Sequence, residues 1–169
     1  MRLLRELDSA SVELVKQGKI KVSKDNKTDE RPSVGVICTY GDQAGLIKKK
    51  RKYQQFTGFS GKPDERLIIS TVDDFQGDER DIIILSMVRN PSGNRYDADF
   101  IKKFERINVA LSRARKMLIV VGSRKFLSEA GIIDLPDLSG NHALDQNNFH
   151  VYEKIIEIST YQNPSTANY

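Results

Sequence analysis

Between Leu3 and Lys16 the apolar positions Leu3, Leu4, Leu7, Val12, Leu14 and Val15 fall on roughly one side of a helix, with the polar stretch Ser9-Ala-Ser11 in its middle. Gly18 fits the end of that helix, and the polar, mixed-charge segment Lys19 to Pro32 reads as a surface loop. The pattern then changes to short apolar runs: Val34 to Thr39, Leu67 to Val72, Asp81 to Val88 and Met117 to Gly122. Runs of this length, rich in β-branched residues and bounded by turn formers, predict strands of a parallel sheet buried on both faces. Between them lie two helical patterns. One starts at Asp42 as N-cap, with Ala44, Leu46 and Ile47 inward and Lys48 to Lys52 outward. The other carries Ile107, Val109, Ala110, Leu111 and Ala114 and is expected to hold Arg113 and Arg115 in fixed geometry. Phe56 to Asp64 and Asn90 to Asp97 read as loops, Asp99 to Phe104 as a helical turn, Ser123 to Ala130 and Val151 to Ile158 as helices, and Gly131 to Asn148 as loop-rich. Strands alternating with helices predict a three-layer α/β/α sandwich with a mostly parallel sheet, whose ligands gather at the carboxyl ends of the strands.

A chain of 169 residues fits one domain, expected over residues 1–160, with a disordered tail at 161–169. Apolar residues make up 38% and charged residues 30%, and no apolar run approaches the roughly 20 residues of a membrane helix. Arg5, Glu6 and Asp8 interrupt the N-terminus, so it lacks the apolar core of a secretory signal, and an intracellular location (cytoplasm, nucleoid or nucleus) is expected. Cys38 has no second cysteine to pair with and lies in an apolar run, where it reads as a small buried hydrophobe. His142 and His150 have no companion ligands, and strand alternation scatters Asp73, Asp74, Asp78 and Asp81, so no metal site is expected. The net charge of +4 is compatible with nucleic acid and equally with an ordinary soluble domain.

The candidate chemistry lies in the turn Gln76-Gly-Asp-Glu79 between two buried strands and in the arginines that follow Leu111. Charge, glycine and parallel strands together suggest a site that handles phosphate. Three segments carry a more specific signal: Val34-Gly-Val-Ile-Cys-Thr-Tyr-Gly-Asp-Gln43, Ser70-Thr-Val-Asp-Asp-Phe-Gln-Gly-Asp-Glu-Arg-Asp-Ile-Ile-Ile-Leu-Ser-Met-Val-Arg89 and Arg106-Ile-Asn-Val-Ala-Leu-Ser-Arg-Ala-Arg115. In order and spacing they resemble motifs IV, V and VI of superfamily 1 helicases, in the branch of the nonsense-mediated-decay RNA helicase and the DNA replication helicase-nucleases. Thr39-Tyr40 departs from the family, which usually has a proline before the tyrosine.

The resemblance implies a RecA-like fold and the role of second, C-terminal motor domain in an ATP-dependent helicase or translocase acting on single-stranded DNA or RNA, moving 5′ to 3′. Its partners would be the nucleic acid and the first RecA-like domain of the same parent chain. No Gly-x-x-x-x-Gly-Lys-Ser/Thr occurs, and Gly58-Phe-Ser-Gly-Lys62 does not fit. This is the P-loop NTPase fold without its phosphate loop, so ATP and Mg2+ would be held mainly by the first domain, and this chain alone should not hydrolyse ATP efficiently.

By resemblance Arg113 is the arginine finger, for which a permanently charged planar guanidinium is suited; the alternative is a surface arginine paired with an acid. Tyr40 resembles the aromatic that stacks on the base, with Gln43 a weaker candidate, and a tyrosine at the core edge is its alternative. Gln76, Gly77 and Glu79 match the turn that meets the nucleotide, although a plain turn also favours glycine and acids, and Arg106 would contact nucleotide or brace Glu79, with a structural ion pair as its equal alternative. Ser70 and Thr71 match residues that touch the nucleic-acid backbone, a contact that positions a strand without reading its sequence. Lys48 to Lys52 reads first as a solvated cationic helix face. The rival from another class is a non-catalytic RecA-like module that docks protein or nucleic acid. A stand-alone nucleotide-binding enzyme is disfavoured by the missing phosphate loop.

Overall fold

A computed structural model describes residues 1–22, 29–52, 66–87 and 104–122. The elements run α1 (Arg2–Lys16), β1 (Val34–Cys38), α2 (Gly41–Lys52), β2 (Leu67–Thr71), β3 (Arg80–Met87), α3 (Phe104–Ser112) and β4 (Ala114–Gly122). The chain divides into two compact units, one of Met1–Val88 with Asn108–Val121, the other of Arg89–Ile107 with Gly122–Tyr169. The sheet belongs to the first unit, apart from the last residue of β4. The expected helices at 123–130 and 151–158, the tail, and the loops at 56–64 and 90–97 lie outside the described residues.

The four strands stand in the order β2-β1-β3-β4. β1 pairs in parallel with both neighbours, Val34 opposite Leu67 and Ile82, and Cys38 opposite Thr71 and Ser86. This is the mostly parallel α/β sandwich of a RecA-like domain, with β1 between the two strands that adjoin each other in sequence. Alternation sends Val34, Val36, Cys38, Leu67, Ile69, Ile82 and Ile84 into one core layer with Leu4 of α1 and Ala44 of α2. Each Val, Leu or Ile of that layer removed from water contributes about 1.5–3 kcal/mol. The opposite face holds Phe75, fully buried, against Gly35 and Ile83. A Cβ on Gly35 would lie 2.6 Å from the Phe75 ring and 2.7 Å from Ile83 Cδ1, so only glycine lets that ring reach the sheet. Cys38 is wholly buried, which pushes its thiol up to about 11, as a small hydrophobe in an apolar run should behave.

Several expectations are corrected. Leu46 is 60% exposed rather than inward, because at about 100° per residue it stands on the far side of α2 from Ala44. On α1 the buried stripe is Leu4, Asp8 and Ser11, at spacings of four and three, while Val12, Leu14 and Val15 are only half-buried. Helix α2 starts at Gly41, one residue before Asp42. The largest correction concerns α3, which stops at Ser112. Arg113 is a turn residue, and Ala114 and Arg115 open β4, whose β-branched run Ile-Val-Val claims the segment for the sheet.

Candidate functional site

Because β1, β2 and β3 run in register, the sheet has an amino edge and a carboxyl edge, about 13 Å apart along the five residues of β1 at roughly 3.3 Å per step. The amino edge is tied by charge. Ser33, just before β1, donates its N–H and its hydroxyl to Asp81 Oδ2, both at 2.9 Å, and accepts the Asp81 N–H on its own oxygen at 3.0 Å. The other carboxylate oxygen of Asp81 faces Lys116 Nζ at 3.2 Å and Arg115 Nε at 3.8 Å. Arg115 also donates to Ser33 Oγ at 3.2 Å. Burial works to raise the Asp81 carboxyl, but hydrogen bonds from Ser33 and Lys116 outweigh it and hold the group below the usual carboxylate range.

Arg113 lies beside this clasp. Its carbonyl accepts the Arg80 N–H at 3.1 Å, and its Nε–H is donated to Val109 O at 3.1 Å, one turn back on α3. A cation at a helix C-terminus is favoured by the helix dipole, and the bond fixes the guanidinium plane. The terminal guanidinium nitrogens have no acceptor among the described residues. Glu79, exposed, immediately precedes Arg80, whose side chain donates to the Glu79 carbonyl at 2.7 Å.

The turn from Val72 to Gly77 carries the chain from the carboxyl end of β2 back to the amino end of β3. Val72 and Phe75 anchor it in the core, while Asp73, Asp74, Gln76 and Gly77 are exposed. Gly77 has φ +91, a region that disfavours any side chain, so the glycine lets the backbone reverse next to Glu79.

At the carboxyl edge the groups are mostly neutral. Gln43 donates to Ser86 Oγ at 2.6 Å, and Tyr40, half-buried, accepts the Ala44 N–H on its carbonyl as α2 begins. Ser70 is buried and its hydroxyl turns to the Thr71 carbonyl, whereas Thr71 reaches the surface and donates its hydroxyl to Asp74 at 2.9 Å. Two buried side-chain oxygens here, Thr39 Oγ1 and Gln43 Oε1, have no hydrogen-bond partner among the described residues.

The predicted nucleotide set is therefore split. Glu79 and Arg113 share the amino edge, Gln76 and Gly77 lie on the connecting turn, and Tyr40 and Gln43 stand at the carboxyl edge with Thr71. Arg106 belongs to the second unit. Among the described residues no group of three or more His, Cys, Asp or Glu side chains could hold a metal ion, and no helix is long and apolar enough to cross a membrane. Sequence reasoning missed Ser33 and dismissed Asp81. Their partnership spans 48 positions, and only a strand register could have revealed it.

Comparison with known proteins adds family information. The family model described as AAA domain matches residues 8–125. The chain is 40% identical over 100 residues to the DNA polymerase alpha-associated DNA helicase A of Saccharomyces cerevisiae, covering 59% of this chain and 13% of that protein. It is 33% identical over 106 residues to Helicase SEN1 of the same yeast, covering 63% of this chain and 4% of that one. With the Regulator of nonsense transcripts 1 homolog of Drosophila melanogaster it shares 35% identity over 125 residues, 73% of this chain and 9% of the other. The matches thus take in a small part of each relative's length.

Proposed function

The chain belongs to the AAA domain family and is a superfamily 1 helicase-like domain, and from that premise we propose that it is the second, C-terminal RecA-like motor domain of an ATP-dependent translocase on single-stranded nucleic acid. The observation that carries this reading is the setting of Arg113: its Nε is held on Val109 O and its carbonyl on the Arg80 N–H, while its terminal nitrogens have no acceptor among the described residues.

ATP would be bound chiefly by a partner domain that carries the phosphate loop absent from this sequence, and any Mg2+ would be held there too. The amino edge fits the remaining half of such a site. Arg113 offers a preorganised guanidinium to charge developing on the transferred phosphoryl group, a contribution that needs no reorganisation when the reaction occurs. Glu79 offers a carboxylate to hydroxyls of the nucleotide, and Gly77 keeps the approach clear of a side chain. At the other edge the Thr71 hydroxyl would touch a phosphate of the strand, without sequence readout. Tyr40 and Gln43 are base-side candidates for whichever ligand reaches the carboxyl edge. Opening and closing of the interdomain cleft would couple the two edges and move the strand 5′ to 3′.

The test is ATP hydrolysis by the full-length protein with and without single-stranded DNA or RNA, for wild type and Arg113→Ala. Strand-stimulated hydrolysis that falls about a thousandfold in the variant, with nucleotide binding retained, is expected. An undiminished rate would remove Arg113 from the chemistry. No hydrolysis by folded wild type saturated with nucleotide would leave a binding module.

A further inference from the structure

Thr71 is not ready to receive a phosphate. Its single hydroxyl proton is donated to Asp74 Oδ2 at 2.9 Å, and its oxygen accepts the Asp74 N–H at 3.3 Å. We infer that Asp74 is an affinity-setting residue that competes with the phosphodiester backbone for the Thr71 hydroxyl, so the free domain holds its strand contact in a self-occupied state.

The geometry leaves little room for another outcome. Asp74 cannot retreat with its backbone, because Val72 and Phe75 on either side are buried at 2% and 0% exposure, and the Phe75 N–H is donated to Thr71 O at 3.1 Å. The proton is freed either by rotation of the Asp74 side chain or by the Thr71 hydroxyl turning away from it, and either way the Thr71–Asp74 bond is broken. While the carboxylate stays, a phosphate oxygen approaching Thr71 meets an exposed like charge with Asp73 next to it. A strand must therefore displace one anionic acceptor from the Thr71 hydroxyl to gain a single charge-assisted hydrogen bond of the same kind. Such a contact is weak and quickly released, which suits a surface that must let a strand pass. Asp74 thus sets the affinity of the grip for any phosphodiester, DNA or RNA alike.

This rests on the reading of Thr71 as a strand contact, and the experiment separates the two. Asp74→Ala removes the carboxylate but keeps the backbone N–H that Thr71 caps, so the turn retains its first hydrogen bond. Binding of labelled oligo(dT) and oligo(U) to the full-length protein without nucleotide is measured for wild type, Asp74→Ala, Asp74→Asn, Thr71→Val and the double variant Thr71→Val/Asp74→Ala, with thermal melting as the folding control. Asp74→Ala is expected to bind about threefold tighter, with a smaller gain at high salt, and Asp74→Asn to fall between it and wild type. The gain should shrink in the double variant, since the freed hydroxyl is gone. If Thr71→Val binds both oligonucleotides as wild type does, the strand contact itself is wrong. If Thr71→Val weakens binding while Asp74→Ala binds no tighter than wild type, the competition is refuted and Asp74 serves the turn alone.

Discussion

The two edges of the sheet are built from different chemistry, although the same three strands end at both. At the amino edge, the Asp81 carboxylate on β3 cross-links three segments through Ser33 before β1 and Arg115 and Lys116 on β4, with Asp29, Arg31 and Arg66 forming a second ionic group near the start of β2. There the Arg31 guanidinium, bonded to Asp29 at 2.6 and 2.8 Å, pulls the Asp29 carboxyl below its usual range. At the carboxyl edge the groups are hydroxyls and an amide, with the Asp74 carboxylate on the Thr71 hydroxyl; among the described residues two buried oxygens there, Thr39 Oγ1 and Gln43 Oε1, have no hydrogen-bond partner, as Asp8 Oδ1 and Arg80 Nε have none towards the amino edge. Fixed charge at fixed geometry is what a phosphoryl-transfer transition state rewards. Single hydrogen bonds from neutral side chains suit contacts that are made and released repeatedly. If the proposed function holds, the difference would give fixed geometry to the amino edge and strand turnover to the carboxyl edge.

Arg113→Lys sharpens that assignment most. Lysine keeps the charge but has no Nε to pin on Val109 O and no planar fork, so if geometry as well as charge matters, ATP hydrolysis should fall about a hundredfold, about 2.7 kcal/mol in the barrier. Steady-state kinetics of the full-length protein would show it, and a rate within threefold of wild type would reduce the edge to mere positive charge. Gly35→Ala strikes between the edges. The added Cβ overlaps Phe75 and Ile83, both buried, and should cost about 2 kcal/mol in denaturant unfolding. Since Phe75 anchors the turn that joins the edges, this variant should weaken hydrolysis and strand binding together. Loss of one alone would show that the edges are mechanically independent.

Removing the clasp tests the amino edge alone. Asp81→Ala strands the Ser33 N–H and leaves Lys116 without its carboxylate, for an expected loss of about 1.5 kcal/mol near neutral pH. Because the folded state depresses the Asp81 carboxyl, its stabilisation is complete above the unfolded value of about 3.9 and disappears as pH falls through the lower folded value. The gap between wild type and variant in chemical denaturation should therefore be flat from neutral pH down to about pH 5 and close in stronger acid. A gap that widens in acid would show that Asp81 is not held as the carboxylate.

The sheet was legible because short β-branched runs between turn formers have few other ways to be buried: Val34, Ile37, Leu67 and Ile83 all became core. The exposed turn at Gln76 to Glu79 was legible for the same reason, since Gly77 punctuates it. The end of α3 was not, because Ala114 and Arg115 suit a helix locally and only pairing at the sheet recruits them to β4. Nor was Asp8, whose place in a helical stripe suggests solvent. It is 6% exposed, with its charge facing Arg31 and Arg66 from residues that follow far along the chain. Long-range charge pairing leaves no local pattern, so the amino edge, richest in such pairs, was the least readable part of the domain.

Charge pairing as such is not what sets the amino edge apart, and the smallest expected effect checks this. Arg2 donates to Glu6 at 2.8 Å, as short as any bond of the clasp, but the two side chains are 63% and 57% exposed on α1. Solvent screens such a pair and both side chains lose freedom to form it, so Glu6→Ala should shift stability by less than about 0.5 kcal/mol. Asp81 differs in being 16% exposed and in holding a backbone N–H and a hydroxyl as well as two cations. If urea unfolding gave Glu6→Ala a loss equal to that of Asp81→Ala, simple attraction between opposite charges would suffice, and the distinction between the two edges would fail at its base.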